Sequence, residues 1–184
     1  MTQKILLISG SGSDNSHSAT NAEHLISLFA LQGFDCHHWN LFEQPLPFLP
    51  GDQHGEIEKS SQPIIADFIG LAKTADAYVW CTPNYHNSYS GILKNAIDLL
   101  AKRFVQRKPI LLVSNGGGNQ GAQPCDQLRI VARGLHGVAI PTQVITQSED
   151  FDNTSQKRSL RCPNLLDRME KAADELAWFT QALG

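Results

Sequence analysis

The amino-acid sequence predicts an α/β fold, a three-layer doubly wound sandwich in which helices cover both faces of a five-stranded parallel sheet. Short apolar runs alternate along the chain with longer segments whose apolar residues recur at helical spacing. The third short run is apolar without alternation, which is typical of a strand covered on both faces. The 184 residues, 41% of them hydrophobic, are expected to form one domain over residues 1–184.

The five strands are expected at the short runs that alternate with the helical segments. They cover Lys4–Ser9, Asp35–Asn40, Ala77–Cys81, Pro109–Val113 and Val138–Thr146, the last interrupted at Pro141. The stretch with Pro45, Pro47 and Pro50 is expected to be a surface loop, because proline disfavours helices and central strands.

The five helices are expected between and after these strands. In the first, Thr20 and Glu23 form a predicted capping box, and Gly33 ends the helix. A polar linker is expected from about Glu149 to Pro163. The other helices are predicted at Pro63–Thr74, Gly91–Lys102, about Gln123–Leu135 and about 164–183.

Composition and charge exclude several classes of function. Fifteen Lys and Arg against eighteen Asp and Glu give a net charge of −3, so nucleic acid is not an expected partner. The four cysteines form no CxxC pair, which predicts neither a zinc knuckle nor a dithiol site and favours reduced thiols. No apolar run has the length of a signal-peptide core or a membrane span, so we expect a soluble cytoplasmic protein.

Ligands of doubly wound folds bind outside the carboxyl ends of the strands, where three loops of unusual composition begin. The first runs from Ser9 to Ser18 and joins a strand to a helix N-terminus, a place suited to a phosphate. It lacks the Gly-Lys-Ser/Thr of a P-loop, and Asn15 stands where a dinucleotide fingerprint needs its third glycine. The alternative is a flexible Ser/Gly loop.

The second loop and the helix after it, TPNYHNSYSGILKNAIDLL, carry the most specific pattern in the chain. It resembles the signature of the NADPH-dependent FMN reductase family, the flavodoxin-like quinone, azo and flavin reductases. Order and spacing agree from Ile5 to about Thr146. The matching residues are Pro83, Tyr85, Ser88, Gly91, Leu93, Lys94, Asn95 and Asp98.

The resemblance implies a flavodoxin-like enzyme in which FMN carries hydride from NADPH or NADH to a small-molecule electron acceptor. It also implies a homodimer or homotetramer, with Lys94, Asn95 and Asp98 in structural roles. We expect the flavin to carry the chemistry, so no catalytic side chain and no metal site is predicted. The cofactor-binding residues that it implies are Ser9, Ser11, Ser13, Ser16 and Ser18 for the phosphate, and Pro83, Asn84, Tyr85, His86, Ser88, Ser114, Gly116, Gly117 and Gly118 around the ring.

Within this picture, the free peptide groups of Asn84 to His86 are expected to bond the edge of the isoalloxazine. The sequence departs from the family at Ser13, where an arginine is common, so a charge-assisted phosphate contact is missing from the first loop. A basic cluster, Lys157, Arg158 and Arg161, is interpreted as a solvated loop, with a phosphate of a nicotinamide cofactor or a neighbouring subunit as the alternatives.

Two other functions remain open on the sequence. One is an electron-transfer flavodoxin that does not meet NAD(P)H, although such proteins lack the Tyr-to-Leu-Lys-Asn block. The other is a non-enzymatic FMN-binding protein, because a fold does not fix a function.

Overall fold

A computed structural model of the chain describes residues 2–48, 62–116, 121–152 and 158–184. Gly117, Gly118 and Lys157 lie outside the described residues, as do Pro50 and most of the loop that follows it. Among the described residues, no helix combines the length and the apolar character that crossing a membrane requires.

Five parallel strands form one sheet in the order β2-β1-β3-β4-β5, which confirms the predicted flavodoxin-like α/β fold. The strands are β1 (Lys4–Ser9), β2 (Asp35–Asn40), β3 (Ala77–Pro83), β4 (Pro109–Asn115) and β5 (Val138–Thr146). The pairing of β4 with β5 shifts register between Ile110 and Leu112, opposite Pro141. Proline has no N–H to donate to a ladder, so a bulge here fits the interruption that the sequence predicts.

Helices cover both faces of the sheet. They are α1 (His17–Leu31), α2 (Pro63–Thr74), α3 (Gly91–Asp98), α4 (Lys102–Val105), α5 (Ala122–Gly134) and α6 (Pro163–Leu183). Alternate residues of each central strand face opposite layers: Ile5 and Leu7 pack under α1 and α6, whereas Leu6 and Ile8 pack with the core of α2 to α5. Two apolar cores therefore sandwich the sheet.

The predicted start of α1 is wrong. The helix begins at His17, and Ser16 caps it by accepting the Ala19 N–H at 3.1 Å. Thr20 lies inside the helix, where its hydroxyl donates to the Ser16 carbonyl at 3.2 Å. The capping box at Thr20 and Glu23 does not form, because the earlier serine already satisfies the end of the helix.

The predicted end of the third helix at Lys102 is also wrong. Helix α3 ends at Asp98, and the chain extends at Ala101 before α4 begins. After this break, Phe104 and Val105 lie in the same apolar core as Phe68 and Ala72 of α2.

The predicted polar linker contains ordered structure. A 3₁₀ turn at Ser148–Asp150 leads into β6 (Phe151–Asp152), which pairs antiparallel with β7 (Ser159–Leu160). Phe151 is buried, and its ring centroid lies 4.3 Å from that of His17. The segment is therefore attached to the start of α1.

Candidate cofactor site

The order in which the chain adds strands to the sheet reverses between β1 and β3. The chain leaves β1 toward β2 on one side, and β3 lies on the other, so the loops after β1 and β3 diverge at one edge of the sheet. In doubly wound folds such a switch point leaves a crevice for a ligand. The loop after β1, residues 10–16, is called loop one, and the loop after β3, residues 84–90, is called loop two.

Loop one is packed tightly against the start of α3. The Gly10 N–H donates to the Cys81 carbonyl at 2.8 Å, and the Ser90 hydroxyl donates to the Gly10 carbonyl. A Cβ on Gly10 would lie 2.5 Å from the Cβ of Leu93, closer than two carbons approach. Only glycine therefore allows the loop to lie this near the helix.

The N-terminus of α1 presents an anion-binding edge to the crevice. Ser16 is the cap, and the next turn supplies the hydroxyl of Ser18. Ser18 is 1% exposed, and its Oγ has no hydrogen-bond partner among the described residues. A buried hydroxyl without a partner costs about 1–3 kcal/mol, which is a reason to expect a polar ligand there.

Loop two is a tight hairpin turn. Tyr85 and Ser88 exchange both backbone hydrogen bonds, at 2.8 and 3.0 Å. His86 and Asn87 between them have φ of 52° and 64°, the positive values of a type I′ turn. The turn exposes His86 and holds the Tyr85 ring at the rim of the crevice, 47% exposed.

This geometry corrects one expectation. The N–H groups of Asn84 and Tyr85 are not free for a ligand, because Asn84 donates to the Asn115 carbonyl at 2.7 Å and Tyr85 donates across the turn. The backbone of loop two thus serves to extend the sheet and close the turn.

The end of β4 forms the third wall. Asn115 Nδ2 donates to Thr146 Oγ1 at 3.1 Å, and Asn21 Nδ2 of α1 donates to the same oxygen at 3.0 Å. A Cβ on Gly116 would come within 3.0 Å of the Asn84 Cβ. This network fixes β4, β5 and α1 around the crevice, and Gly116 lets loop two approach it.

Together these walls enclose a cavity of about 370 Å³, within the range of small-molecule sites. Eight of the residues implied by the sequence line it: Ser11, Ser13, Ser16, Ser18, Pro83, Asn84, Tyr85 and Gly116. Five further residues line it: Asp14, Asn15, His17, Asn115 and Arg158.

Four of the implied residues do not line this cavity. Ser9 is buried at the end of β1, where its hydroxyl is hydrogen-bonded to His38 Nε2 at 2.9 Å and to Asn40 Oδ1 at 3.3 Å. The others are His86 on the turn, Ser88, which donates to Gln127 Oε1 at 2.6 Å, and Ser114, which donates to the Gly121 carbonyl. Gly117 and Gly118 lie outside the described residues.

His17 and Arg158 bring basic side chains to a cavity for which the sequence predicted none. Half-burial lowers the pKa of His17, and the charge of Arg158 lowers it further, while a hydrogen bond with Asn115 opposes both. His17 lies within the stretch from Ser9 to Ser18 that the sequence marked as a phosphate loop, which is the signal that could have found it. The sequence marked Arg158 as part of a basic cluster, but gave no indication that it lies beside the first loop.

Comparison with known proteins shows which family the chain belongs to. Residues 3–151, well over half of the chain, match the family model described as NADPH-dependent FMN reductase. The chain belongs to the NADPH-dependent FMN reductase family. Membership confirms the predicted resemblance, and with it an FMN-dependent NAD(P)H oxidoreductase whose cofactor is FMN.

Curated relatives support the same assignment. The chain is 37% identical to an FMN-dependent NADPH-azoreductase of Staphylococcus saprophyticus over 148 residues, which are 80% of this chain and 79% of the relative. It is 38% identical to the protein of the same name from Staphylococcus haemolyticus, with the same coverage.

Solved structures agree on the fold. The flavoenzyme NAD(P)H:(acceptor) oxidoreductase FerB from Paracoccus denitrificans superposes with a TM-score of 0.79 at 19% identity, over 100% of both chains. An apo NADH:FMN oxidoreductase superposes with a TM-score of 0.76 at 22% identity, over 100% of this chain and 91% of the other. Identities this low support the fold alone.

The residues of this family member fit FMN at both ends of the cavity. The cap of α1 and the buried Ser18 hydroxyl suit a phosphate. At the other end, Tyr85 offers an aromatic surface and Gly116 lines the cavity with backbone.

Three motif residues of the family have structural contacts in this chain. Lys94 Nζ pairs with Asp98 one turn later, at 2.6 Å from Oδ1. Asn95 Nδ2 donates to the Pro47 carbonyl at 3.0 Å and so holds the proline-rich loop against α3. These contacts agree with the structural roles predicted for all three.

Proposed function

We propose that the cavity between loop one, loop two and the end of β4 is the FMN site of an NAD(P)H oxidoreductase that reduces quinones, flavins or azo compounds. The ribityl phosphate binds at loop one and the start of α1, and the isoalloxazine lies against Tyr85 and Gly116. The observation that carries this assignment is the buried Ser18 hydroxyl, which lines the phosphate end and has no protein partner among the described residues.

The side chains bind and orient rather than react. When bound, FMN supplies hydride transfer at its N5, which is the cofactor's own chemistry. Tyr85 forms one wall at the rim, and the type I′ turn fixes its backbone so that this wall is preorganised. The Asn21–Thr146–Asn115 network keeps the opposite wall in place.

For the donor and the acceptor we propose NADPH before NADH, and an azo compound or quinone. The printed names of the staphylococcal relatives, NADPH-azoreductases, support this choice. A half-exposed Tyr85 at the rim leaves room beside the flavin for a planar aromatic molecule.

We also propose that residues 1–184 act as a single flavodoxin-like domain in a cytoplasmic homodimer or homotetramer. Light scattering on the FMN-loaded protein tests the assembly. A monomer at micromolar concentration would contradict it.

Steady-state oxidation of NADPH tests the function directly. The FMN-loaded protein is mixed with NADPH and either a quinone or an azo dye, and the rate is compared with that of free FMN at the same concentration. We expect turnover far above the free-flavin rate, and faster with NADPH than with NADH. A protein that holds FMN but turns over no faster than free flavin is an electron carrier or a binding protein.

A further inference from the structure

The phosphate end of the cavity has an unusual balance of charge. Ser13 stands where the family resemblance leads one to expect an arginine. Asp14, beside it, adds a carboxylate to the lining. Among the described residues of the lining, Arg158 is the one permanently charged cation. Without it, a phosphate dianion would meet hydroxyls, amides and one negative charge.

Arg158 reaches loop one from the far end of the sequence. Its backbone N–H donates to Asn15 Oδ1 at 3.1 Å, and its guanidinium donates to the Asn15 carbonyl. A guanidinium carries five N–H donors in a planar fork, so it can hydrogen-bond a carbonyl and an anion at the same time. The group therefore lies at the rim of the cavity that Ser11, Ser16 and Ser18 line.

Strand β7, which follows Arg158 directly, is held in place by its pairing with β6. Phe151 of β6 pairs with Leu160 of β7, and the Arg161 N–H donates to the Asp150 carbonyl at 2.9 Å. The ring of His17 packs on Phe151. Position 158 is thus fixed relative to the start of α1, and it lies outside residues 3–151, the part that matches the family.

We propose that Arg158, the residue directly before β7, is the cation that binds the FMN phosphate in this chain, in place of the arginine absent at Ser13. The proposal rests on the FMN site proposed above. Charge-assisted hydrogen bonds to phosphate are about twice as strong as neutral ones, and arginine can make two in parallel. His17, which lines the same end, lies within the field of the same phosphate.

One other source of the same chemistry is the 2′-phosphate of NADPH, and the experiment separates the two. The apoprotein is titrated with FMN and with riboflavin, which has the same ring but no phosphate, and flavin fluorescence reports the Kd. The variants are Arg158→Gln, Arg158→Lys and Arg161→Gln. Arg161 is the matched control, because it is an exposed arginine of the same segment whose Nε bonds the Glu149 carbonyl instead.

Loss of the Arg158 charge should weaken FMN binding roughly 10- to 100-fold, the equivalent of a lost hydrogen bond to a charged group. The affinity for riboflavin should change less than about two-fold, because riboflavin has no phosphate to which the Arg158 guanidinium could bind. Arg158→Lys should fall between wild type and Arg158→Gln, because it keeps the charge but not the fork. Arg161→Gln should bind FMN like the wild type.

A further substitution removes a negative charge from the lining of the cavity and leaves Arg158 and the pairing of β6 with β7 unchanged. Asp14→Asn removes the carboxylate and keeps an oxygen for the Asn15 N–H, which Asp14 Oδ1 accepts at 2.8 Å. FMN should bind several-fold more tightly to this variant, with riboflavin unchanged. If Arg158→Gln fails to fold, Arg158→Lys and Asp14→Asn still test the proposal.

Distinct results overturn the proposal. Equal losses of FMN affinity in Arg158→Gln and Arg161→Gln would mean that general surface charge causes the effect. Equal losses of affinity for FMN and for riboflavin would mean that Arg158 supports the fold or contacts the flavin ring. An unchanged FMN Kd with a raised KM for NADPH but not for NADH would assign Arg158 to the 2′-phosphate. Wild-type protein that binds neither flavin would contradict the FMN site itself.

Discussion

The backbone N–H of Arg158 donates a 3.1 Å hydrogen bond to Asn15 Oδ1, although 143 positions separate the two residues in the chain. Asn15 adopts φ of 46°, a left-handed conformation that asparagine tolerates better than most residues. Loop one and Arg158 therefore lie together in one wall of the cavity. The conformation of this wall depends on a residue beyond the part of the chain that matches the family.

Gly10→Ala should destabilise the protein by about 1–3 kcal/mol, because the new Cβ would overpack the contact between loop one and α3. It would lie 2.5 Å from the Cβ of Leu93. Denaturant unfolding of the apoprotein measures the change. Gly12→Ala is the control: its Cβ would meet nothing nearer than Ile92 Cδ1 at 3.8 Å, so a change below about 1 kcal/mol is expected. Similar losses in both variants would contradict the close-approach account.

Two serines at the start of α1, two positions apart, should respond differently to alanine. Ser16→Ala removes the cap of α1 and should cost about 1 kcal/mol of unfolding free energy. Ser18→Ala removes a buried hydroxyl without a partner, so the stability of the apoprotein should not fall. Its FMN affinity should nevertheless drop about ten-fold, as for a lost hydrogen bond to a charged group. Unchanged FMN affinity in Ser18→Ala would remove the main support for the phosphate site.

Arg129 joins α5 to the irregular part of β5. Its guanidinium donates to the carbonyls of Ile140 and Pro141, both at 2.8 Å, and to Gln143 Oε1 at 3.0 Å. Arg129→Gln should therefore lower the unfolding free energy by about 1–3 kcal/mol, since carbonyls at the bulge lose a charged donor. Arg133→Gln, exposed on the same helix, should change it by less than about 0.5 kcal/mol. Equal effects would indicate general loss of helix charge.

The sequence predicted the parts of the fold that depend on local pattern. Strand β1 and strand β5 have their predicted bounds, and the apolar run beginning at Ala77 is β3, extended by two residues to Pro83. The motif after β3 located loop two. Periodicity and short motifs are properties of neighbouring residues, so one sequence is sufficient to find them.

The parts that the sequence did not predict depend on distant contacts. The sequence predicted that the backbone N–H groups of Asn84 and Tyr85 would be free to bind a ligand. In the structure, the Asn84 N–H donates to the carbonyl of Asn115, which belongs to a neighbouring strand. Arg158 looked like part of a solvated basic loop, because its partner Asn15 lies at the other end of the chain. Ser9 looked like a phosphate ligand, and only the adjacent β2 explains its bonds to His38 and Asn40.

Stability of the apoprotein should fall as pH decreases from about 7.5 to 5.5. Burial is the main cause that lowers the pKa of His17, His24 and His38 below 6.5. At His17, the charge of Arg158 lowers the pKa further. Nearby carboxylates act in the opposite direction and raise the pKa, Glu170 at His24 and Glu23 and Glu43 at His38. The unfolded chain therefore takes up protons first as pH falls through 6.5, which favours unfolding. Denaturant unfolding at several pH values measures this.

His24→Gln provides the internal comparison for the pH profile, because His24 Nε2 is buried without a partner among the described residues. Removing this group should flatten the decline between pH 7.5 and 5.5. A wild-type stability that stays constant or rises over this range would contradict the account.

Binding of FMN and transfer of hydride from a nicotinamide to that flavin together define the activity of this chain. The visible absorbance of the FMN-reconstituted, gel-filtered protein, recorded before and after anaerobic NADPH, reports both. Flavin should co-elute with the protein, its absorbance should bleach on adding NADPH, and the absorbance should return on adding a quinone. Protein that elutes without flavin after saturation with FMN, or bound flavin that NADPH and NADH both leave oxidised, would contradict this activity.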